Sequence, residues 1–297
     1  MPVFHESPEK TGKKKGKEKD SIIVSLPATP PVTLPDRVND YLEYQLAPKN
    51  CQYEFPTLAE VTRTVTIQVN QVLTSGQYVN GTANGTLVWA QNGSPWQENV
   101  QAEIRQEPYL VNIYRNRQTP NYSLALEHGG FDPLSKAFPA KVGEVLDIVW
   151  QNNGGPVGGF ESHPMHIHGD HAWDLGSGNG TYDAEKNEAR FQNYSPVRRD
   201  TTYLYRHVVK GAPGSNAGWR AWRIRITEDN VGAWMMHCHA AAHAVMGMNT
   251  VWVFGETTDI FRKFSAPPYV EGYLDFGGDA VGNSSSHPSV NHWFPSR

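Results

Sequence analysis

The chain has 297 residues, a formal net charge of -4 and two cysteines. That length can bury one good core and little more, and beyond the N-terminal tail no basic run offsets the phosphates of a nucleic acid. No apolar run is long enough to cross a membrane.

In chain order, residues 1–35 read as a disordered tail. Lys10, Lys13, Lys14, Lys15, Lys17 and Lys19 form a solvated charge run, and Pro27, Pro30, Pro31 and Pro35 follow. Met1 to Asp20 lacks an apolar h-region, so no signal peptide is visible. Residues 36–60 read as a linker with a short helical turn around Tyr41 to Leu46. Residues 61–260 read as an all-β domain. Val65, Ile67 and Val69 alternate with Thr64, Thr66 and Gln68, and Tyr109 to Tyr114, Val145 to Gln151 and Trp219 to Ile226 are equally rich in strand formers. Turns such as Asn152-Asn153-Gly154-Gly155-Pro156 separate them. Many short strands with turn signals between them argue a β-sandwich. Residues 261–297, with Gly277-Gly278 and Ser284 to Ser286, read as an extended tail.

Seven Asn-x-Ser/Thr triplets begin at Asn80, Asn84, Asn92, Asn121, Asn179, Asn193 and Asn283. That density favours a glycosylated, secreted protein. Without a visible signal peptide, it fits a chain whose N-terminal part is missing. Cys51 has no partner left once Cys238 is given to a metal. It is either free and buried or paired with a residue of an absent domain.

The chemistry lies in two motifs. The first is His163-Pro164-Met165-His166-Ile167-His168-Gly169. The second is His237-Cys238-His239, followed by His243 and Met248. Two imidazoles, a thiolate and a weak axial thioether form the ligand set of a blue-copper centre. Cys238, His243 and Met248 are close enough for one loop to bring them to a metal, with His163 arriving from a distant strand. Such a site has no open position, so it suits electron transfer. Strand alternation sends Cys238 to one face and His237 and His239 to the other. His166 and His168 share the same i, i+2 relation. The two His-x-His pairs can therefore converge on a second site, joined to the first through the backbone of Cys238.

At these residues the chain resembles the C-terminal (third) cupredoxin domain of a multicopper oxidase. His163 to Gly169 meets the family pattern His-Pro-x-His-x-His-Gly, and Gly232 to His239 meets Gly-x-Trp-x-x-His-Cys-His. Pro196 to Thr202, Trp219 to Arg225 and Thr250 to Phe254 resemble the segments around them. The look is that of fungal ascorbate-oxidase-like or laccase-like enzymes. The resemblance implies a cupredoxin-like Greek-key β-sandwich. It implies a blue copper on His163, Cys238, His243 and axial Met248. His166 resembles a ligand of the single normal copper of a trinuclear cluster, and His168, His237 and His239 resemble ligands of its coupled pair. The activity implied is one-electron oxidation of a reducing substrate (ascorbate, a phenol or a metal ion) near His243, coupled to reduction of dioxygen to water.

Two details depart from the family. Ala240, Ala241 and Ala242 stand where bulkier residues are usual, and Asp170 stands where relatives often carry a histidine, which here comes next as His171. The family's cluster also needs four more histidines, from an N-terminal cupredoxin domain. His5, His128, His171, His207, His287 and His292 are too scattered to supply them. The expected partners are therefore the missing N-terminal domains or another subunit. The alternatives are a single blue-copper electron-transfer module and an inactive fragment. Trp89, in a Trp-x-x-Asn-Gly that resembles the opening of the family's last domain, is a core residue or a wall of the substrate pocket.

Overall fold

The structure, a computed structural model, describes residues 46, 48, 54–79, 82–96, 109–193, 195–209 and 211–265. All of these fall in the unit Leu42–Arg297. The expected N-terminal tail, the turn around Tyr41, Cys51 and the chain beyond residue 265 lie outside the described residues.

Alternation at Thr64 to Val69 produces the first strand, β1 (Arg63–Val79), with Val65, Ile67 and Val69 buried and Thr64, Thr66 and Gln68 exposed. The strands after it are β2 (Thr82–Gln91), β3 (Ala137–Ala140), β4 (Val145–Asn153), β5 (His163–Ile167), β6 (Ala172–Gly178), β7 (Arg198–Arg199), β8 (Thr201–Leu204), β9 (Asn216–Arg225), β10 (Gly232–Cys238) and β11 (Asn249–Phe254). The helices are α1 (Tyr109–Asn116), α2 (Tyr122–Glu127), α3 (Ala184–Glu188), α4 (Ala241–Val245) and α5 (Thr257–Lys263). One sheet runs β2-β1-β4-β9-β6-β7, the other β3-β11-β10-β5-β8. This is the expected all-β sandwich.

The inner faces meet in one core. Ile67, Ile148, Trp150 and Trp222 of the first sheet pack with Phe138, Met165, Met236 and Trp252 of the second. Each such side chain taken from water contributes roughly 1.5–3 kcal/mol. Phe138 stacks on Trp252 with centroids 4.6 Å apart, and Trp150 meets Trp222 edge-on at 5.0 Å. Cys238 and Met248 belong to the same core, so the ligand loop hangs directly from it.

Two expectations fail locally. Tyr109 to Tyr114 is helix α1, not a strand. Its Ile113 and Tyr114 pack on Val251, Val253 and Ala137, which form the outer face of the second sheet, together with Ile260 of α5. Burial against that face outweighs the strand propensity of Tyr, Val and Ile. Residues 261–263, expected in the C-terminal tail, are helical. Phe261 to Lys263 complete α5, and Phe261 meets Tyr114 edge-on at 4.6 Å.

Two buried ion clusters brace the sandwich. Asp147 and Arg223 stand opposite one another on β4 and β9, both fully buried, in a bidentate pair at 2.6 and 2.9 Å. Arg223 also donates to the Pro56 carbonyl at 2.8 Å and to Glu188 at 3.0 Å, which ties the incoming chain and α3 to the sheet. Asp174 on β6 accepts from Arg199, from Arg220 on β9 and from the Thr202 hydroxyl on β8. It thus joins the two sheets. Burial alone would raise the pKa of Asp174, but Arg220 and Arg199 outweigh it and hold the carboxyl below its ordinary value.

Removing one partner of a buried pair leaves the other charged and unsatisfied. Asp147→Ala is expected to cost about 3–5 kcal/mol, measured by chemical denaturation. A loss within experimental error would show that the pair does not brace the fold.

Candidate metal centre

β5 and β10 pair antiparallel, with His166 opposite His237 and Met165 opposite Cys238. Alternation along both strands then sorts the side chains. His163, Met165 and Cys238 point into the core, while His166 and His237 point out of it. His168 and His239 continue on the outer side and are exposed.

The inner group is His163, Cys238 and His243. His163 Nδ1 lies 3.1 Å from His243 Nδ1, and Cys238 Sγ lies 3.8 Å and 3.5 Å from those two nitrogens. An ion about 2.0 Å from nitrogen and about 2.3 Å from sulfur, in trigonal or tetrahedral geometry, separates its donors by roughly 3.3–3.7 Å. The triangle is thus already near the size one ion requires. Met248 is fully buried in the same loop. Its N–H donates to the His243 carbonyl at 3.0 Å, and the Cys238 N–H donates to its carbonyl at 3.0 Å. Burial, with the Coulombic effect of His243 second, pushes the His163 pKa down to about 3, and burial pushes the Cys238 thiol up to about 11. Without metal, the site is therefore a neutral imidazole beside a protonated thiol, and binding a cation to the thiolate releases a proton.

The outer group is His166, His168 and His237, with His239 beside it. His168 Nε2 and His237 Nε2 are 3.2 Å apart. The second nitrogens are held by the backbone. His166 Nδ1 is 2.9 Å from the Asp200 carbonyl, and His237 Nδ1 is 3.0 Å from the Cys238 carbonyl. These bonds turn the Nε2 atoms of His166 and His237 away from the backbone, the side on which a ligand would be met. His239 stacks on His237 with centroids 5.7 Å apart. Desolvation, followed by repulsion from neighbouring imidazoles, lowers the pKa of His168. The turn after His168 is set by Gly169, at φ 84°, where a Cβ would come within 2.2 Å of the Trp234 ring.

Three further residues shape the centres. Trp89 is 1% exposed and lies behind the inner group, its ring 4.4 Å from His163 and 5.1 Å from His243. It packs against both imidazoles from within the core. Glu161, which sequence reasoning missed, places Oε2 2.7 Å from His243 Nε2. Asp170, at the position that departs from the family, accepts from Arg198 at 2.9 Å and from Asn230 at 2.7 Å. His171 is exposed and joins neither histidine group among the described residues.

A multicopper oxidase family model matches residues 102–257, more than half of the chain. The chain belongs to the multicopper oxidase family. It is 66% identical to the multicopper oxidase aurL2 of Gibberella zeae over 91% of this chain and 45% of that protein. It is 42% identical to laccase-like multicopper oxidase 1 of Thermothelomyces thermophilus over 92% of this chain and 41% of that one. The crystal structure of the laccase from Botrytis aclada superposes with a TM-score of 0.52 at 17% identity, covering 92% of this chain and 42% of the laccase. That likeness supports the cupredoxin-like fold. The chain spans about half the length of the curated relatives it matches. A multicopper oxidase binds copper, and the His163, Cys238 and His243 group fits the trigonal part of a type 1 (blue) copper site. No helix among the described residues is long and apolar enough to cross a membrane.

The depressed His163 pKa predicts a stability profile. In the unfolded chain this imidazole titrates near the ordinary value of about 6.5, whereas in the fold it stays neutral to about 3. Between those values the unfolded state binds the extra proton, so stability is complete above the upper one and falls as pH drops toward the lower. Denaturation midpoints of the metal-free chain are expected to fall across that window, and less steeply in His163→Gln. An identical slope in the variant would rule out this contribution.

Proposed function

We propose that this chain is the copper-bearing C-terminal part of a longer, laccase-like multicopper oxidase. The observation that carries the reading is the separation of two histidine groups by the alternation of paired strands, with Cys238 between them. His163, Cys238 and His243 hold a blue copper, with Met248 as the axial ligand. His166, His168, His237 and His239 give half of a trinuclear site, completed by histidines of N-terminal cupredoxin domains or another subunit. Copper, when bound, supplies one-electron oxidation of a reducing substrate at the first site and four-electron reduction of dioxygen to water at the second.

The protein's own contribution is positional. Cys238 is bonded through the backbone to His237 and His239, so a short covalent path connects the two sites. Burial of Cys238, His163 and Met248 keeps water from the inner site. The outer imidazoles stay accessible, as a half-site awaiting its complement needs. Ascorbate, phenols and metal ions remain the candidate donors. Exposed sequon residues Asn121, Asn179 and Asn193 suit a secreted glycoprotein.

The copper-loaded chain is expected to show an intense thiolate-to-copper absorption that Cys238→Ser abolishes, with a copper-to-protein ratio near one. Supplying the N-terminal domains is expected to raise that ratio and start dioxygen consumption. A band that persists in Cys238→Ser, or background dioxygen consumption with all domains present and copper loaded, would refute the reading.

A further inference from the structure

Of the three inner side chains, His163 and Cys238 are fully buried, while the His243 side chain keeps 14% of its surface exposed. The outward nitrogen of that imidazole, Nε2, meets the Glu161 carboxylate at 2.7 Å. We propose that Glu161 is a positioning residue for the blue-copper site. It holds His243 with the Nδ1 lone pair toward the metal and the Nε2–H donating to the carboxylate, and its charge lowers the reduction potential of the bound copper. The inference rests on the blue-copper reading and concerns what sets its geometry and potential.

A neutral imidazole carries one proton. His243 Nδ1 faces His163 Nδ1 and Cys238 Sγ, where a metal needs a lone pair. The proton then belongs on Nε2, and the Glu161 oxygen is its acceptor. Among the described residues His163 has no equivalent support, because its Nε2 is buried without a partner. Among them a carboxylate therefore orients one of the two inner imidazoles and not the other.

Glu161 is itself held. Its carbonyl accepts from the Nδ2 of fully buried Asn152 at 2.7 Å, and the neighbouring Ser162 Oγ accepts from the Arg206 N–H at 3.1 Å. The backbone that carries the carboxylate is thus anchored to β4 just before β5 begins. An anion on the far side of a ligand stabilises the more highly charged state of the metal, the oxidised one.

Two variants separate charge from hydrogen bonding. Glu161→Gln keeps an acceptor oxygen and loses the charge, while Glu161→Ala loses both. In the metal-free chain, nitrogen NMR is expected to show His243 as the Nε2–H tautomer in the wild type and as a mixture in Glu161→Ala. In the copper-loaded chain, Glu161→Gln is expected to keep the thiolate-to-copper band. Its equilibrium with a one-electron mediator should shift about tenfold toward the reduced form, roughly 59 mV. An unchanged tautomer in Glu161→Ala overturns the positioning role, and an unchanged potential in Glu161→Gln overturns the tuning role. A wild-type chain that loads copper without the band refutes the blue-copper reading, and the NMR measurement still decides the role of Glu161.

Discussion

The pairing of β5 with β10 is the constraint on which the rest depends. Side chains on a strand alternate between faces, so a pair of strands in fixed register divides its residues into two sets. Here one set is His163 and Cys238 inside, and the other is His166 and His237 outside. A slip of β5 by one residue would turn His163 outward and His166 inward. Burial of Met165 and Ile167 on the inner face makes such a slip costly, because it would expose both core side chains together. Packing energy, not metal binding, thus specifies where the ligands stand.

The surrounding structure holds that register in place. β8 flanks β5, and its Thr202 bonds to Asp174, which two arginines also hold, so the ligand strand is tied to the opposite sheet. Trp89 comes from β2, far from both motifs in the chain, and presses on both inner imidazoles. A brace reaching from one sheet to ligands of the other allows little rotation of either ring.

The two groupings, His163 with Cys238 and His243 and His166 with His168 and His237, were legible in the sequence because their spacing is short and their residue types are rare in combination. The strand around Val65 was legible from its alternation, and those around Ile148 and Trp222 from a local run of strand formers buried on both faces. What was not legible depends on partners remote in the chain. The stretch from Tyr109 to Tyr114 has strand-forming residues, yet the apolar outer face of β11 makes it a helix. Trp89 looked able to line a pocket, and only the folded arrangement shows it behind the imidazoles. Glu161 gave no signal, because an acidic residue two places before a histidine is common. Its meaning comes from the loop that brings His243 back to it.

That loop carries one more consequence. From Cys238 to Met248 it is cross-braced by backbone bonds, three of them its own and one from Trp96. The His243 N–H donates to the Ala240 carbonyl, the Met248 N–H to that of His243, the Cys238 N–H to that of Met248, and the Trp96 N–H to that of Gly247. Such a cage has little freedom to follow an ion whose preferred geometry changes when it gains or loses an electron. The ion must accept nearly the same surroundings in both oxidation states. Little nuclear rearrangement then accompanies each transfer, and the donors, already arranged, contribute little to its barrier. In the proposed blue-copper centre, that stiffness would bear directly on the speed of each electron transfer.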